Sequence, residues 1–198
     1  MSALWIKICG MTTPEAVAAA LAARADAIGF VFADSPRQIT PQRAVQLASV
    51  ARGHVSCVAV TRHPNQQLID EIVEVFRPDM LQTDLADLSS LRLPHGLETL
   101  PVVRVDNAEQ AELPSRLLFE GQASGSGVTC DWGRARELAR RVQLVLAGGL
   151  DPDNVVDAIA AVMPFGVDVS SGVEERPGFK SPQKIAQFIE RARHDRFA

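Results

Sequence analysis

Short apolar runs alternate with amphipathic segments along the whole chain. Eight of the runs are strand candidates, and several are nearly continuous in Val, Ile, Leu and Phe, as strands buried on both faces should be. They lie at 4–9, 27–31, 55–60, 79–82, 101–105, 115–120, 143–147 and 166–169. Because helical patterns separate them, the alternation predicts parallel βαβ units.

Helices are predicted near 13–24, 41–51, 65–76, 106–112, 132–141, 152–161 and 181–194. Four of them begin with a capping residue followed by proline, which is typical of a first helical turn. The four pairs are Thr13-Pro14, Thr40-Pro41, Asp151-Pro152 and Ser181-Pro182. Asp131 is a further N-cap candidate, and Trp132 after it is expected to pack. Around Pro94-His95-Gly96 the helical pattern is poor, so we expect only a short or irregular helix between strands 4 and 5.

The length of the chain suits eight βα units. Its 198 residues allow about 25 per unit, which is tight but sufficient for a (β/α)8 barrel. A doubly wound open sheet fits the same alternation. No linker, low-complexity tract or change of composition marks a second domain, so we expect one domain over residues 1–198.

Composition excludes several classes of function. The net charge of -4 argues against nucleic acid and anionic membranes as partners. No apolar run approaches the roughly 20 residues that span a bilayer, and no signal peptide is visible. Cys9, Cys57 and Cys130 are odd in number and widely spaced, which favours reduced thiols in a cytoplasmic protein. No Cys or His pair has the spacing of zinc ligands, so no metal is expected.

Two of the last strand candidates run into loops of small residues. These loops contain Gly148 and Gly149, and then Ser170, Ser171 and Gly172. Such loops present backbone N–H groups to an anion, and a helix N-terminus behind them adds positive partial charge. Because the last two loops of a (β/α)8 barrel usually hold a phosphate, these five residues are candidate phosphate ligands.

Strand 1 carries two reactive groups. Alternation places Lys7 and Cys9 on one face, and Ile6 and Ile8 on the other. A nearby ammonium would favour the thiolate, which is the reactive form of cysteine. The alternative is a small buried cysteine beside a lysine whose ammonium reaches solvent.

Three further charged residues are candidates. Glu120 ends an apolar strand, where a carboxyl could have a raised pKa and act as an acid; a solvated Glu is the alternative. Asp168 lies inside an apolar run and needs partners, which favours ligand contact. Arg37 could bind a carboxylate, although on the residues alone a surface arginine is the better interpretation. The segment Ser124-Gly125-Ser126-Gly127 could line an anion site or be a flexible loop.

Together these residues resemble the phosphoribosylanthranilate isomerase family, from strand 1 to strand 8. The matching segments are Lys7-Ile8-Cys9-Gly10-Met11-Thr12, Ser35-Pro36-Arg37, Gly125-Ser126-Gly127 with Asp131-Trp132, Leu146-Ala147-Gly148-Gly149-Leu150, and Asp168-Val169-Ser170-Ser171-Gly172-Val173-Glu174. The resemblance implies a (β/α)8 barrel without a cofactor that performs an Amadori rearrangement in tryptophan biosynthesis.

The resemblance also implies roles for individual residues. Cys9 would be the general base, and Glu120 matches the position where the family usually has an aspartate as general acid. Arg37 would hold the anthranilate carboxylate. Asp168 would contact the sugar or the bridging amine, with Lys7 beside it as a further substrate-binding residue. The loops at Gly148-Gly149 and 170–172 would bind the 5′-phosphate.

The chain departs from the family pattern at several strand ends. Glu120 is one methylene longer than aspartate, which moves the carboxyl by about 1–1.5 Å. Strand 4 reads Gln82-Thr83-Asp84-Leu85 where the family has Gln-Leu-His-Gly. The strand-3 exit Val60-Thr61-Arg62 lacks an aromatic residue, and Cys130 replaces a phenylalanine.

Other barrel functions remain as alternatives. A sugar-phosphate epimerase would need metal-binding His and Asp residues at strand ends, and indole-glycerol-phosphate synthase a catalytic Lys and Glu on different strands. A non-catalytic phosphate-binding barrel would keep the glycine loops but has no need of Cys9 and Glu120. The expected partner is a small phosphorylated substrate, and the expected state is a monomer or homodimer.

Overall fold

Eight parallel strands close into a barrel in chain order, and β8 pairs back onto β1. The computed structural model describes residues 3–104, 113–121 and 131–194. The strands are β1 Trp5–Cys9, β2 Ala27–Val31, β3 Ser56–Val60, β4 Met80–Asp84, β5 Glu98–Arg104, β6 Arg116–Glu120, β7 Gln143–Leu146 and β8 Gly166–Val169. The barrel is therefore confirmed, and the open sheet is excluded.

Helices follow the strands on the outside of the barrel. They are α1 Pro14–Ala22, α2 Pro41–Ala48, α3 Gln66–Glu71, α4 Leu85–Leu88, α5 Trp132–Ala139, α6 Val155–Val162 and α7 Pro182–His194. α3 continues into one π-helical turn, Ile72–Phe76. The four-residue α4 confirms the short helix expected between β4 and β5.

The helix predicted at 106–112 lies outside the described residues. Within those residues, no helix has both the length and the apolar character needed to cross a membrane.

The connection from β8 to α7 is more elaborate than the sequence pattern indicates. A 3-10 turn, Ser171–Val173, leads into a small hairpin made of β9 Glu174–Arg176 and β10 Phe179–Lys180. The hairpin is tied to the barrel by Thr12, whose hydroxyl donates to the carbonyl of Gly178 at 2.5 Å. The hairpin thus lies beside the loop that follows β1.

Most of the predicted helix starts are confirmed. Thr13 and Thr40 accept hydrogen bonds from backbone N–H groups three residues on, at 3.3 and 3.2 Å, and Asp131 does the same at 3.1 Å. The prediction near 152 is wrong, because α6 begins at Val155. The Asp151 carboxylate accepts from the N–H groups of residues 153 and 154, which makes a separate turn before the helix.

Two layers of apolar side chains hold the fold together. The barrel interior is filled by Ala27, Val58, Met80, Leu100, Val102, Leu118, Val145 and Ala147. A larger cluster, which includes Ile6 and Ile8, lies between the strands and the helices. In β1 the intervening Lys7 and Cys9 therefore face the inside of the barrel, as alternation predicts.

Candidate active site

The carboxyl ends of the strands surround a cavity of about 180 Å³. Five of the residues selected from the sequence line it, namely Cys9, Arg37, Glu120, Asp168 and Ser170. A larger depression of about 780 Å³ lies where strands begin, beside Asp26 and Val55. Because active sites in this fold lie at the carboxyl ends of the strands, the smaller cavity is the candidate active site.

Lys7 and Asp168 form a buried ion pair at the cavity, which Asp168 lines. The Lys7 ammonium lies 2.7 Å from Asp168 Oδ1, and the two residues are 0% and 7% exposed. Burial lowers the pKa of Lys7, but attraction by Asp168 and Cys9 outweighs it and the pKa is raised. Lys7 therefore stays charged and does not reach solvent, which excludes the alternative of an outward-reaching lysine.

The space for these side chains comes from a residue that sequence reasoning missed. A Cβ built on Gly29 would lie 3.0 Å from Cys9 Sγ and 3.2 Å from Lys7 Cε. Gly29 sits in the middle of a fully buried strand, where glycine weakens the strand unless something approaches closely. A glycine in the middle of a run of buried apolar residues was therefore the sequence signal that could have identified this position.

Burial has the largest effect on the pKa of the Cys9 thiol. The residue is 6% exposed, and burial raises its pKa above the usual value, although Lys7 and Lys180 act in the opposite direction. Lys7 therefore favours the thiolate, as expected, but burial has the larger effect on the pKa of Cys9. The two ammonium groups limit the rise in pKa but do not reverse it.

Glu120 belongs to a chain of charges across three strand ends. Arg104 donates from Nη2 to Glu120 Oε1 at 2.6 Å, and from Nη1 to Asp84. The Glu120 side chain is only 13% exposed, so the alternative of a solvated glutamate does not hold. Burial lowers the pKa of Arg104, but Asp84 and Glu120 outweigh it and the pKa is raised. Sequence reasoning missed Arg104, although a charged residue ending an apolar strand was a signal.

Arg37 is also held inside the protein. Its Nε and Nη2 donate to the two oxygens of Glu174, at 2.7 and 2.9 Å, and its side chain is 12% exposed. Lys180 donates to the same carboxylate at 2.8 Å. Burial raises the pKa of Glu174, but Arg37 and Lys180 outweigh burial and hold it below the usual value. Arg37 is thus neither a solvated surface residue nor a free cation.

The two glycine-rich loops touch each other beside the cavity. Gly148 and Gly149 have φ of 89° and 66°, in the left-handed region that favours glycine. A Cβ on Gly172 would lie 2.0 Å from the Leu150 carbonyl oxygen, so only glycine allows the two loops to pack here. Ser170 lines the cavity, whereas Gly148, Gly149, Ser171 and Gly172 do not.

Hydrogen bonds fix the conformation of these loops. Ser170 Oγ donates to the Cys9 carbonyl at 3.1 Å, and Lys180 donates to the Ser170 carbonyl at 2.9 Å. In the other loop, Asn154 Nδ2 donates to the Gly149 carbonyl at 2.7 Å. The two loops are therefore held by hydrogen bonds from the protein itself. The segment Ser124–Gly127 lies outside the described residues.

The closed barrel and the cavity at the carboxyl ends of its strands define the class: this is a (β/α)8-barrel enzyme. The family model of N-(5′-phosphoribosyl)anthranilate isomerase matches residues 6–191. The chain belongs to the N-(5′-phosphoribosyl)anthranilate isomerase family.

Curated relatives and solved structures agree with the family model. The isomerase of Rhizobium johnstonii is 39% identical over 93% of this chain and 92% of its own length. That of Mesorhizobium japonicum is 37% identical over 99% and 100% of the two chains. The structure of TrpF from Jonesia denitrificans is 36% identical with a TM-score of 0.81, covering 98% of each chain.

A further solved structure contains a ligand. Two solved structures of the Thermotoga maritima isomerase are each 30% identical in sequence to this chain. A phosphoribosylanthranilate isomerase in complex with reduced 1-(o-carboxyphenylamino)-1-deoxyribulose 5-phosphate is also 30% identical, with a TM-score of 0.79, and covers 96% of this chain and 98% of its own.

Proposed function

We propose that this protein converts N-(5′-phosphoribosyl)anthranilate into 1-(2-carboxyphenylamino)-1-deoxyribulose 5-phosphate, a step of tryptophan biosynthesis. The observation that carries the proposal is that a thiol and a carboxyl, Cys9 and Glu120, line one cavity in a member of this family. Family membership also weighs against the epimerase, the synthase and the non-catalytic barrel.

The rearrangement needs one proton donor and one proton acceptor. Glu120, in its protonated form, gives a proton to the ribose ring oxygen, the C1′–oxygen bond breaks, and the amine nitrogen forms a protonated Schiff base. Cys9, as thiolate, then removes the C2′ proton, which the iminium has made acidic. The resulting enolamine tautomerises to the ketone, so substrate and product have the same atoms.

The remaining predicted residues bind and orient the substrate. Asp168 contacts the sugar or the bridging amine, and Lys7 holds its carboxylate in place from below at 2.7 Å. Arg37 contributes to the site of the anthranilate carboxylate. The 5′-phosphate is bound by the backbone of the Gly148-Gly149 and Ser170-Ser171-Gly172 loops, whose packing at Gly172 is already in place.

We further propose a cytoplasmic enzyme that acts as a monomer or homodimer on a small phosphorylated substrate. Cys9 and Cys57 are free thiols, as expected in a reducing compartment. Among the structural relatives, the T. maritima isomerase is described as dimeric, with monomers generated from it. The sedimentation of the purified protein distinguishes the two states.

A fluorescence assay tests the proposed activity directly. Purified protein is mixed with N-(5′-phosphoribosyl)anthranilate, and the loss of substrate fluorescence is followed against a blank without enzyme. Turnover well above the blank is the expected result. If the fluorescence falls at the same rate in the blank, the protein does not catalyse this reaction.

The role of Glu120 is tested by two substitutions. Glu120→Gln replaces the carboxylic acid with an amide that cannot act as a general acid, and it is expected to lower kcat by about 10²-fold or more. Glu120→Asp restores an acid at the family's usual chain length and is expected to keep most of the activity. Steady-state kinetics of both variants give the answer, and a Glu120→Gln enzyme with the full rate would place the acid elsewhere.

A further inference from the structure

Two of the strand ends at which this chain departs from the family pattern are joined by one side chain. Asp84 ends β4 and Glu120 ends β6, and Arg104 ends β5 between them. Arg104 lies directly beside Glu120 in the register of β5 and β6. Its guanidinium donates from Nη1 to Asp84 and from Nη2 to Glu120 Oε1, the latter at 2.6 Å. The two departures are therefore the two ends of one chain of charges.

The three charged groups are largely enclosed by the barrel. The exposed fractions of their side chains are 16% for Arg104, 8% for Asp84 and 13% for Glu120. Hydrogen bonds between charged groups are stronger there than in water, because little solvent screens them. One guanidinium serves two carboxyl groups, so the three groups together are neutral when Glu120 carries the proton that the mechanism requires. The arrangement thus suits a glutamic acid at the point of proton transfer.

The longer side chain of Glu120 needs a contact that fixes its carboxyl group. Glutamate has one more rotatable bond than aspartate, so its carboxyl group can take more positions. The bond from Arg104 to Oε1 selects one of them, at the wall of the cavity that both residues line. The same bond stabilises the carboxylate that remains after Glu120 has given its proton to the substrate. Asp84 binds the other end of the guanidinium and limits its movement.

We propose that Arg104 is a positioning residue, which fixes the carboxyl group of Glu120 for proton transfer to the ring oxygen, and that Asp84 in turn fixes Arg104. The inference rests on the proposed function, since it takes the general acid from there. Because Arg104 also lines the cavity, the competing role is direct binding of the substrate. Loss of binding raises KM, whereas loss of positioning lowers kcat, so kinetics separate the two roles.

The first measurement separates turnover from binding. Arg104→Met nearly keeps the length of the side chain but removes its charge and its donors. It is expected to lower kcat by about 10²-fold, as a misplaced catalytic group does, and to change KM by less than about threefold. Arg104→Lys restores the charge without the fork of donors and should recover part of the rate. A raised KM at unchanged kcat would overturn the proposal in favour of substrate binding.

The second measurement distinguishes positioning of Glu120 from general damage to the barrel. In a Glu120→Gln enzyme the acid is already absent, so adding Arg104→Met should lower kcat by no more than about twofold further. If the two losses multiply instead, Arg104 does not act through Glu120 and the proposal is overturned.

A milder variant covers the case in which Arg104→Met does not fold. Asp84→Asn keeps an acceptor for Arg104 and is expected to lower kcat by about fivefold in the wild-type background. In the Glu120→Gln background the same substitution should have almost no effect on kcat. An equal loss in both backgrounds would contradict the role assigned to Asp84 and Arg104.

Arg116→Met is the matched control, because it removes an arginine from the other end of β6, outside the cavity lining. It should keep the wild-type kcat, and thermal unfolding followed by circular dichroism checks that each variant is folded during the assay. An inactive wild-type protein, or a Glu120→Gln enzyme with the full rate, overturns the proposed function and this inference with it. A folded Arg104→Met enzyme within about twofold of the wild-type kcat overturns the inference alone.

Discussion

Cys9→Ser is expected to lower kcat by about 10³-fold, since a serine hydroxyl is a far weaker acid than a thiol and supplies almost no base. The substrate contacts remain, because serine and cysteine differ little in size. KM should therefore change much less than kcat. Steady-state kinetics by the fluorescence assay, with circular dichroism to confirm folding, measure the effect. A Cys9→Ser enzyme with normal turnover would show that another group takes the C2′ proton.

The pH dependence provides an independent readout of the same role. Burial raises the pKa of Cys9, so the thiolate is a minor species at neutral pH and its fraction grows as the pH rises. In the wild type, kcat/KM is therefore expected to increase from neutral into alkaline pH. Because serine does not ionise there, the residual activity of Cys9→Ser should lack this increase. The Cys57→Ser variant, which changes a buried thiol outside the cavity lining, should keep the wild-type profile.

Lys7→Met is expected to destabilise the protein by about 3–5 kcal/mol, because it leaves the Asp168 carboxylate buried without its partner. Methionine fills a similar volume, so the effect comes from the charge and not from a cavity. Asp168 is 7% exposed and cannot recover its hydration without a change in the barrel. Urea unfolding at neutral pH measures the free energy, and Tm should fall by about 10 °C.

A double variant separates charge from packing. In Lys7→Met with Asp168→Asn, no net charge is left buried, so the double variant should be more stable than Lys7→Met alone. Lys184→Met is the surface control. Lys184 is exposed on α7, and among the described residues its ammonium donates only to the Glu174 carbonyl, at 2.8 Å. A loss of less than about 1 kcal/mol for Lys7→Met, as for a solvated pair, would refute the account of a buried ion pair.

The fold was largely predictable because its signals are local. A run such as Ile28 to Val31 or Leu117 to Phe119 shows by itself that a strand is buried on both faces. Alternation within β1 sufficed to place Lys7 and Cys9 inside the barrel. The start of α6 was missed, because the sequence Asp-Pro is equally typical of a helix start and of a turn. Here the Asp151 side chain caps a separate turn before the helix.

The charge pairs could not be predicted in the same way. Asp84, Arg104 and Glu120 come from three different strands, and only the register of the closed barrel brings them together. The same holds for Arg37 and Glu174, which are separated by 137 positions. Sequence reasoning selected five of the residues that line the cavity, but it missed Arg104 and left the charged partners of the site residues undetermined.

The pairing of Lys7 with Asp168 has a consequence for how the enzyme is made. The two residues are 161 positions apart, and β1 and β8 are the strands that close the barrel. A ribosome adds about 5–20 residues per second, so β1 emerges many seconds before the strand that completes its hydrogen bonds. During that interval the Lys7 ammonium and the Cys9 thiol have no barrel around them. The inward-facing side chains of β1 are thus synthesised early, but they gain their surroundings only after β8 has emerged.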